Sequence, residues 1–341
     1  MSTNYNVSGT DLDDVFQIYY TNQASATGFS VNGSDLNTFF EKIGGGTTSS
    51  TTNYKANNDD LNTLFSGKTY TIIGDGTYAE VANTDSTKYI VICFGSTTSI
   101  NGSSNSIVFN TATTVNYWVV GGGGGGGGTQ SGTARAAGGG AGGSIVTGSI
   151  NVDANVSYSL VYGEGGAGKA NNLDGIDGDA SYIFETFDVP TNYVAYAAGG
   201  YGGKCGANDG DGGAAASYNG TANIGKGGNG AYSSAAATDG NDGKNMATVE
   251  SITLTNYGPR YSGGGGGGGT SVAGYTTGGT GGGSGIGGDG GDYSDSGNLA
   301  QNGTNMTGSG GGGAAKTYIG DSYRQGGDGG SGAVFLWFTY Y

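Results

Sequence analysis

The chain has 341 residues, of which 79 are glycine and 2 are proline, and its 12 basic and 27 acidic side chains give a net charge of −15. The low proline content excludes collagen, which needs a strict Gly-X-Y period with abundant proline, and the 24 tyrosines and 11 phenylalanines argue against an ordinary disordered chain. Nucleic acid and anionic membrane surfaces are poor partners for so acidic a chain.

Histidine is absent, and the only cysteines are Cys93 and Cys205. Without histidine the chain lacks the commonest general base, and Ser-His-Asp and Cys-His catalysis are excluded. Two cysteines provide neither a disulfide framework nor an all-cysteine zinc site. No apolar run is long enough to span a bilayer, and the polar, acidic N-terminus is unlike a cleaved signal peptide. We expect a non-enzymatic protein with no cofactor, no bound metal and no membrane insertion.

Three similar stretches open the chain: YNVSGTDLDDVF (5–16), FSVNGSDLNTFF (29–40) and YKANNDDLNTLF (54–65). Each predicts a short extended piece, then a turn at a glycine or asparagine, then a single helical turn. Thr10, Ser34 and Asp59 are placed to cap the helical turns of the three units. The sequence therefore predicts three short strand-turn-helix repeats.

Each predicted helical turn carries an apolar face, because leucine and phenylalanine recur there at helical spacing. The main apolar residues of the three faces are Leu12, Phe16, Leu36, Phe40, Leu61 and Phe65. A unit of this size is too small to bury its own face. Residues 1–66 are therefore predicted to form a docking or oligomerisation segment, in which the faces pack on one another, on other copies or on a partner.

Beyond the repeats, β-branched and aromatic runs separated by turn residues predict strands. The predicted strands are 68–73, 88–94, 106–110, 115–120, 143–152, 156–163, 180–187, 192–198 and 332–341. The strand at 115–120 and the last strand bracket the glycine-rich part, so we predict that they share one core, with Trp118 and Trp337 at least partly buried. Residues 67–341 are accordingly predicted to be mainly β, an antiparallel β-sandwich with a glycine-rich insertion at about 199–330.

The glycine runs raise the question of how such a fold is completed. The apolar strand VNYWVV leads directly into eight glycines at 121–128, and seven more lie at 263–269. A structureless loop as long as 199–330 is improbable in a compact domain. Threefold polyglycine helices, which are like polyproline II without side chains, can pack so closely that each backbone N–H and C=O pairs with a neighbouring helix. We predict that both runs are ordered by packing of polyglycine II helices.

Two motifs invite a chemical interpretation. Asp174, Asp177 and Asp179 in DGIDGDAS offer oxygen ligands of the kind that hold Ca²⁺, but Asp-Gly is the commonest turn pair, and turns are the preferred interpretation. The run at 121–128 lacks the Gly-Lys-Ser/Thr sequence and the helix of a phosphate-binding loop, as well as the βαβ context of a dinucleotide site. Neither motif predicts a catalytic or metal site.

Tyrosines are interleaved with glycine throughout the insertion. An exposed tyrosine offers an amphipathic plate to a sugar or a protein, whereas the alternative is that these rings cover the outer faces of glycine layers. The stretch TNYGPRYSGGG (255–265) places two tyrosines beside an arginine, with a proline that stiffens the turn. The candidates for an exposed recognition loop are Tyr257, Arg260, Tyr261 and Tyr275.

The order of strand, polyglycine, small-residue strand, VYGEGGAG and closing strand, GGSGAVFLWF, resembles the glycine-rich domain of phage and giant-virus fibre proteins over roughly residues 68–341. The nearest physical model is similar to the tip adhesins of T-even-like phages, in which polyglycine helices are sandwiched together and loops at one end bind the host receptor. The N-terminal V-x-G-x-D-L-x-x-x-F units resemble short modules at the start of giant-virus and some phage structural proteins.

This resemblance implies a viral structural surface protein, a fibre or spike component that is made in the host cytoplasm and carried on the virion surface. Host-receptor adhesion is a further expectation. The implied partners are other virion proteins or copies of the same chain, as a trimer or filament, and a glycan or protein of the host surface. The alternative is a self-assembling filament or surface-layer subunit that binds no receptor.

Overall fold

The computed structural model of the chain describes residues 6–7, 10–11, 55–56, 59–60, 70–73, 78–82, 89–95, 103–130, 135–185, 193–205, 225–231, 236–242, 244–245, 248–249, 252–253, 260–261, 264–265, 268, 277–282, 286–293, 299–316 and 323–339. The chain divides into two compact units, Met1–Lys68 and Thr69–Tyr341. The described residues are strands, turns and backbone without regular secondary structure, with almost no helix. They include no helix that is long and apolar enough to cross a membrane.

The first unit contains two small hairpins at matching positions of the first and third repeats. β1 (Asn6–Val7) pairs antiparallel with β2 (Thr10–Asp11), and β3 (Lys55–Ala56) pairs antiparallel with β4 (Asp59–Asp60). In each hairpin two residues separate the strands, Ser-Gly in the first repeat and Asn-Asn in the third. Two-residue connections are the commonest in hairpins and favour glycine and asparagine, and the first and third repeats thus begin as hairpins.

The hairpins correct the local prediction for Thr10 and Asp59. Each was expected to cap a helical turn, but each lies in the second strand of its hairpin together with the residue that follows it. Because the residue after a cap takes helical dihedrals, strand pairing that continues through Asp11 and Asp60 excludes a cap at Thr10 and Asp59. The six apolar docking residues and the whole second repeat lie outside the described residues, so the docking faces stay a prediction.

The second unit holds two five-stranded antiparallel sheets. Its strands are β5 (Tyr70–Ile73), β6 (Tyr78–Ala82), β7 (Tyr89–Phe94), β8 (Ser103–Phe109), β9 (Thr113–Val120), β10 (Thr129–Gln130), β11 (Ile145–Val152), β12 (Ser157–Tyr162), β13 (Ser181–Glu185), β14 (Tyr193–Ala197), β15 (Lys244–Asn245), β16 (Thr248–Val249), β17 (Ile252–Thr253), β18 (Arg260–Tyr261), β19 (Tyr323–Arg324) and β20 (Ala333–Thr339). The first sheet has the order β11-β9-β20-β7-β6 and the second β14-β13-β12-β8-β5, while β10–β19, β15–β18 and β16–β17 form separate two-stranded pairs.

Each of the nine strands predicted from the sequence overlaps an observed strand. The short β6 was not predicted, because its sequence YAEVA has two alanines and a glutamate, which are depleted in strands. β9 and β20 are neighbours in the first sheet, with Trp118 opposite Phe335. Trp118 is buried and Trp337 is partly buried. The prediction that these two distant segments share one core is confirmed.

The two sheets share one apolar core. Phe338 on β20 of the first sheet makes edge-on ring contacts with Tyr70 and Phe109 of the second sheet, with ring centroids 5.4 and 5.2 Å apart. β12 alternates buried and partly exposed residues, and its Tyr158 and Leu160 enter the core. Alternation of this kind is typical of a strand with one covered face.

The glycine-rich segments form one hydrogen-bonded body, which we call the glycine layer. Its described segments are 121–128, 136–144, 163–180, 198–205, 225–231, 236–242, 264–265, 268, 278–282, 286–292, 299–304, 308–316 and 325–332. Backbone N–H groups of one segment donate mostly to backbone carbonyls of other segments. Because several segments precede residue 199, the layer takes in more of the chain than the predicted insertion.

The central run 121–128 shows the pattern most clearly, because its eight N–H groups donate in strict rotation to three neighbouring segments. In chain order the acceptors are the carbonyls of Ser144, Asp179, Gly330, Ala141, Ile176, Gly327, Gly138 and Leu173, with N···O distances of 2.8–3.0 Å. Carbonyls of the run accept from three further segments, 166–169, 200–203 and 311–314. The prediction that this run is ordered by backbone pairing is confirmed.

The second glycine run is described in part. The N–H groups of Gly264, Gly265 and Gly268 donate to backbone carbonyls of other segments at 2.9–3.0 Å. These three residues therefore follow the prediction, and the other residues of 263–269 lie outside the described part of the chain.

Close approach of backbone to backbone explains the glycines of the central run. Cβ atoms placed on Gly121, Gly122 and Gly123 would each lie within 3.0 Å of a backbone carbonyl, and the three carbonyls belong to three different segments. Among the described glycines, only Gly225 and Gly308 have a positive φ. The run is therefore glycine because backbone covers all three of its faces, and not because its backbone conformation requires glycine.

Gly126→Ala tests this requirement. The new Cβ would collide with the backbone of Gly312, which cannot move aside as a flexible side chain can. We expect a destabilisation of about 1–3 kcal/mol or more, as in overpacked cores, measured by chemical unfolding of the full chain. Glu164→Ala is the control, because Glu164 is exposed on a neighbouring segment. Equal unfolding midpoints for the two variants would contradict the argument.

Candidate interaction surface

One long hairpin runs from the glycine layer into the second sheet and back. Residues 173–180 lead into β13, and β14 leads into residues 198–205. The two arms pair as strands in the sheet, and in the layer the N–H groups of Gly175 and Gly178 donate to carbonyls of the second arm at 2.9 Å. We call this element hairpin 173–205.

The side chains of the first arm repeat with a period of three residues. Gly175 and Gly178 face the central run 121–128, where a Cβ would collide with carbonyl groups of that run. Leu173 and Ile176 are 56% and 47% exposed. One position in three is therefore restricted to glycine, and another presents large apolar side chains to solvent.

Asp174 and Asp177 occupy the third position of this period, and their carboxylates bind the second arm. Asp174 accepts hydrogen bonds from the N–H of Cys205 at 2.8 Å and from Nζ of Lys204 at 2.9 Å. Asp177 accepts a hydrogen bond from the N–H of Gly202 at 2.7 Å. The prediction of turns at Asp174 and Asp177 is wrong, because this stretch runs extended. Its two aspartates accept hydrogen bonds that backbone carbonyls accept elsewhere in the layer.

Carboxylates play the same part elsewhere in the glycine layer. Asp239, Asp289, Asp292 and Asp328 also accept a backbone N–H from a glycine-layer segment. Within the described residues, no group of three or more histidine, cysteine or acidic side chains is placed to hold a metal ion. The geometry of Asp174 and Asp177 thus supports a structural role in place of a calcium site.

Opposing effects act on the pKa of Asp174. Burial raises this pKa, but the hydrogen bonds from the Cys205 N–H and the Lys204 ammonium, together with the positive charge of Lys204, leave it below its ordinary value. The hydrogen bond and the charge of Asp174 in turn raise the pKa of Lys204. Both pKa shifts favour the ion pair between Asp174 and Lys204. Because this pair is partly exposed, it contributes little to the stability of the fold by itself. Cys205 lies buried beside it as a thiol.

The second arm repeats the three-residue period. Gly200 and Gly203 face the backbone of residues 138–142, where a Cβ would collide. Tyr201 is 53% exposed, and Lys204 is exposed three residues later. Both arms of the hairpin thus present side chains to solvent on the face that backbone does not cover.

Four aromatic rings gather where the hairpin enters the sheet. The ring of Tyr182 lies 5.8, 5.2 and 6.4 Å from those of Phe184, Tyr193 and Tyr196, between ring centroids. The rings of Tyr193 and Tyr196 lie 5.2 Å apart, and these two side chains are 43% and 48% exposed. The cluster is well ordered by its own contacts and still open to solvent.

The ring cluster and the outward apolar residues of the two arms all belong to one element, and together we call them the aromatic stripe. Its members are Leu173, Ile176, Tyr182, Phe184, Tyr193, Tyr196 and Tyr201. In the part of the chain that the structure describes, every large apolar side chain that is exposed belongs to the stripe except Leu299. Concentration of exposed apolar side chains on one element is typical of an interaction site.

The recognition loop predicted from the sequence is only partly described. Arg260 and Tyr261 form β18, which pairs with β15, so this part of the loop is a strand. Tyr257 and Tyr275 lie outside the described residues, and the recognition role of all four stays a prediction. Sequence reasoning missed the aromatic stripe, although the spacing of glycines in GGYGGKC and LDGIDGD marks the outward positions.

Asp174→Asn tests the carboxylate contacts between the arms. Because the folded-state pKa is lowered, the ionised Asp174 stabilises the fold above the ordinary aspartate pKa of about 3.9, and this contribution is lost as pH falls through the lowered value. We expect the melting temperature of the wild type to fall more steeply on acidification than that of D174N. Asp179→Asn removes an exposed carboxylate of the same arm and should keep the wild-type slope. Equal slopes for the wild type and D174N would refute this role.

Comparison with known proteins agrees with the glycine layer as the defining feature of the chain. The model of a family described as "Glycine-rich domain" matches residues 97–341, which include β8 to β20 and the whole described glycine layer. No curated protein matches the chain. Because the match covers well over half of the sequence, the chain belongs to the glycine-rich domain family.

Proposed function

We propose that this protein is a structural surface protein of the fibre or spike class, in which a rigid glycine layer displays a binding surface. The observation that carries the proposal is the central run 121–128, in which every N–H group donates to a backbone carbonyl of another segment. A layer held together by backbone contacts leaves few enclosed positions for reactive side chains. It suits a mechanical and display role better than an enzymatic one.

In this proposal the glycine layer is a bundle of polyglycine II helices inserted into an antiparallel β-sandwich. The rotation of hydrogen-bond partners with a period of three residues supports it, because a threefold helix turns its N–H groups to three directions in succession. The energies are also compatible. Ordering a glycine costs roughly 0.5–1 kcal/mol relative to alanine, and a backbone hydrogen bond contributes a net of about 1 kcal/mol.

The resemblance to phage and giant-virus fibre proteins supports a place on the surface of a virus particle, after synthesis in the host cytoplasm. Residues 1–66 would attach the chain to other virion proteins or to further copies of itself, in a trimer or a filament. The exposed surface would then bind a glycan or a protein of the host. In this proposal the first compact unit attaches the chain to its partners, and the second displays the binding surface.

Immunogold electron microscopy tests the proposed location. Antibodies raised against the purified full chain are applied to particles and cell sections from a culture of the source organism. We expect gold label on projections at the surface of virus particles. Preimmune serum is the control. Label confined to the cytoplasm, with bare particles, would sink the proposal.

The docking segment can be tested in the full chain by Leu36→Asp. A large apolar side chain contributes roughly 1.5–3 kcal/mol when fully buried, and a carboxylate at that position would oppose burial of the predicted face. We expect loss of the oligomer, measured by size-exclusion chromatography with light scattering. Asn37→Asp introduces the same charge at the neighbouring position and should assemble as the wild type does. Identical assembly of the two variants would show that this face is not a docking element.

A self-assembling filament or surface-layer subunit without receptor binding is the second candidate. The edge strands favour it, because β14 and β11 each end a sheet, and edge strands can pair with another chain. Negative-stain images of the purified full chain are informative here. Filaments or sheets that form without any partner and bind no host surface material support this second candidate.

A further inference from the structure

We propose that the aromatic stripe is the binding platform for an uncharged polysaccharide, which lies along hairpin 173–205. This inference rests on the proposed function and names the chemistry of the partner. Tyr193, Tyr196 and Tyr201 are the residues expected to contact sugar rings. Four features of the stripe support this partner: the kind of side chain, the support of the rings, the surrounding charge and the exposed area.

Tyrosine suits a sugar partner because both are amphipathic. A pyranose ring has an apolar face of C–H groups and a rim of hydroxyls, and a tyrosine offers an apolar ring with a hydroxyl at its tip. Tyr193, Tyr196 and Tyr201 each leave about half of the side chain exposed. The three residues follow one another along β14 and the second arm, which favours an elongated ligand.

The support of these rings is rigid. Tyr193 and Tyr196 contact each other and Tyr182, with ring centroids 5.2–6.4 Å apart. Tyr201 lies on a segment whose neighbouring backbone is hydrogen bonded on both sides, because its carbonyl accepts from Ala141 and the next N–H donates to Asp177. A preorganised platform loses little conformational entropy on binding, which favours binding of a weakly interacting ligand such as a neutral sugar.

Charge argues against an anionic partner and against a second copy of the same surface. The chain carries a net charge of −15, and Asp179 and Glu164 are exposed near the first arm. Lys204, the cation of the hairpin, is already paired with Asp174 at 2.9 Å. Two stripes placed face to face would bring like charges together, which is destabilising. An uncharged polymer meets no such penalty.

The area of the stripe is adequate for a single polysaccharide strand. Its five most exposed side chains offer on the order of 500 Å² together, if a whole large side chain presents about 200 Å². The apolar part of a standard protein–protein interface is about as large, so the choice of a sugar partner rests on the kind of side chain and on the charge.

Affinity electrophoresis of the full chain tests the proposal. The acidic protein is run through native gels that contain dextran, mannan, xyloglucan or amylose, with alginate as the anionic polysaccharide. We expect slower migration in at least one uncharged polysaccharide and unchanged migration in alginate. Unchanged migration in all four uncharged polysaccharides would overturn the proposal, as would retardation by alginate alone.

Variants then locate the site. Tyr196→Ala and Tyr201→Ala should each weaken binding by roughly fivefold to tenfold, which is typical of an aromatic contact at the centre of a site. Tyr196→Phe keeps the ring and should retain most of the binding. Leu299→Ala is the matched control, because Leu299 is 72% exposed and lies outside the stripe. Binding that is equally strong in both tyrosine-to-alanine variants and in the control would overturn the assignment of the site.

The two proposals can fail separately. Circular dichroism confirms that each variant is folded, and if one of the two alanine variants does not fold, the other one decides. Self-association of the wild type that is lost in both variants would show that the occupant is a second copy, and the polysaccharide proposal would fall. If the virus particles carry gold label but the protein binds no polysaccharide, only this inference is overturned. If the protein binds a polysaccharide but the particles carry no label, only the proposed virion location is overturned.

Discussion

The fold depends on one steric constraint, which is that no Cβ atom fits where backbone packs directly on backbone. In the run 121–128 every face is covered by another segment, and each N–H finds a carbonyl at 2.8–3.0 Å. A net of about 1 kcal/mol for each hydrogen bond is close to the roughly 0.5–1 kcal/mol that ordering a glycine costs. The layer is therefore stable only if nearly every donor is satisfied, and its segments must be held in register. The two sheets, which deliver the ends of these segments, provide that register.

The same constraint links the sequence of a segment to its place in the layer, because each face that a neighbouring backbone covers requires glycine at the positions pointing to it. The central run is glycine throughout because three faces are covered. The arm 198–205 has two covered faces and reads Gly-Gly-X, with Tyr201 at X, whereas the arm 173–180 keeps glycine at one position in three. In these three segments the glycines thus mark the positions where a neighbouring backbone lies too close for a Cβ atom. The aspartates of the first arm show a further solution, in which a short polar side chain replaces a neighbouring carbonyl as the acceptor.

The strands and the pairing of the central run could be predicted from the sequence, because each rests on a local signal. VNYWVV and AVFLWF are apolar runs of strand length, and no other conformation satisfies eight enclosed glycines so well. The aromatic stripe could not be predicted, because exposure of Tyr193 and Tyr196 follows from the place of β14 at the edge of its sheet, which is a matter of topology. The helix cap expected at Thr10 failed for a related reason. Strand pairing across a two-residue connection competes with capping, and single-residue preferences do not decide between them.

The outward positions of such a layer have a consequence for binding specificity. Positions where backbone packs directly on backbone admit only glycine, so the sequence cannot change there to adapt the backbone to a ligand. Outward residues recur every third position, and the threefold helices proposed above, which rise about 3.1 Å per residue, would place them roughly 9 Å apart. The geometry of a binding surface is therefore set by the layer, and only the identity of the outward side chains is open to variation. Ile176 and Tyr201 occupy equivalent outward positions on adjacent arms, one aliphatic and one aromatic, so exchange of such residues would alter the ligand preference while the hydrogen-bonded scaffold stays the same.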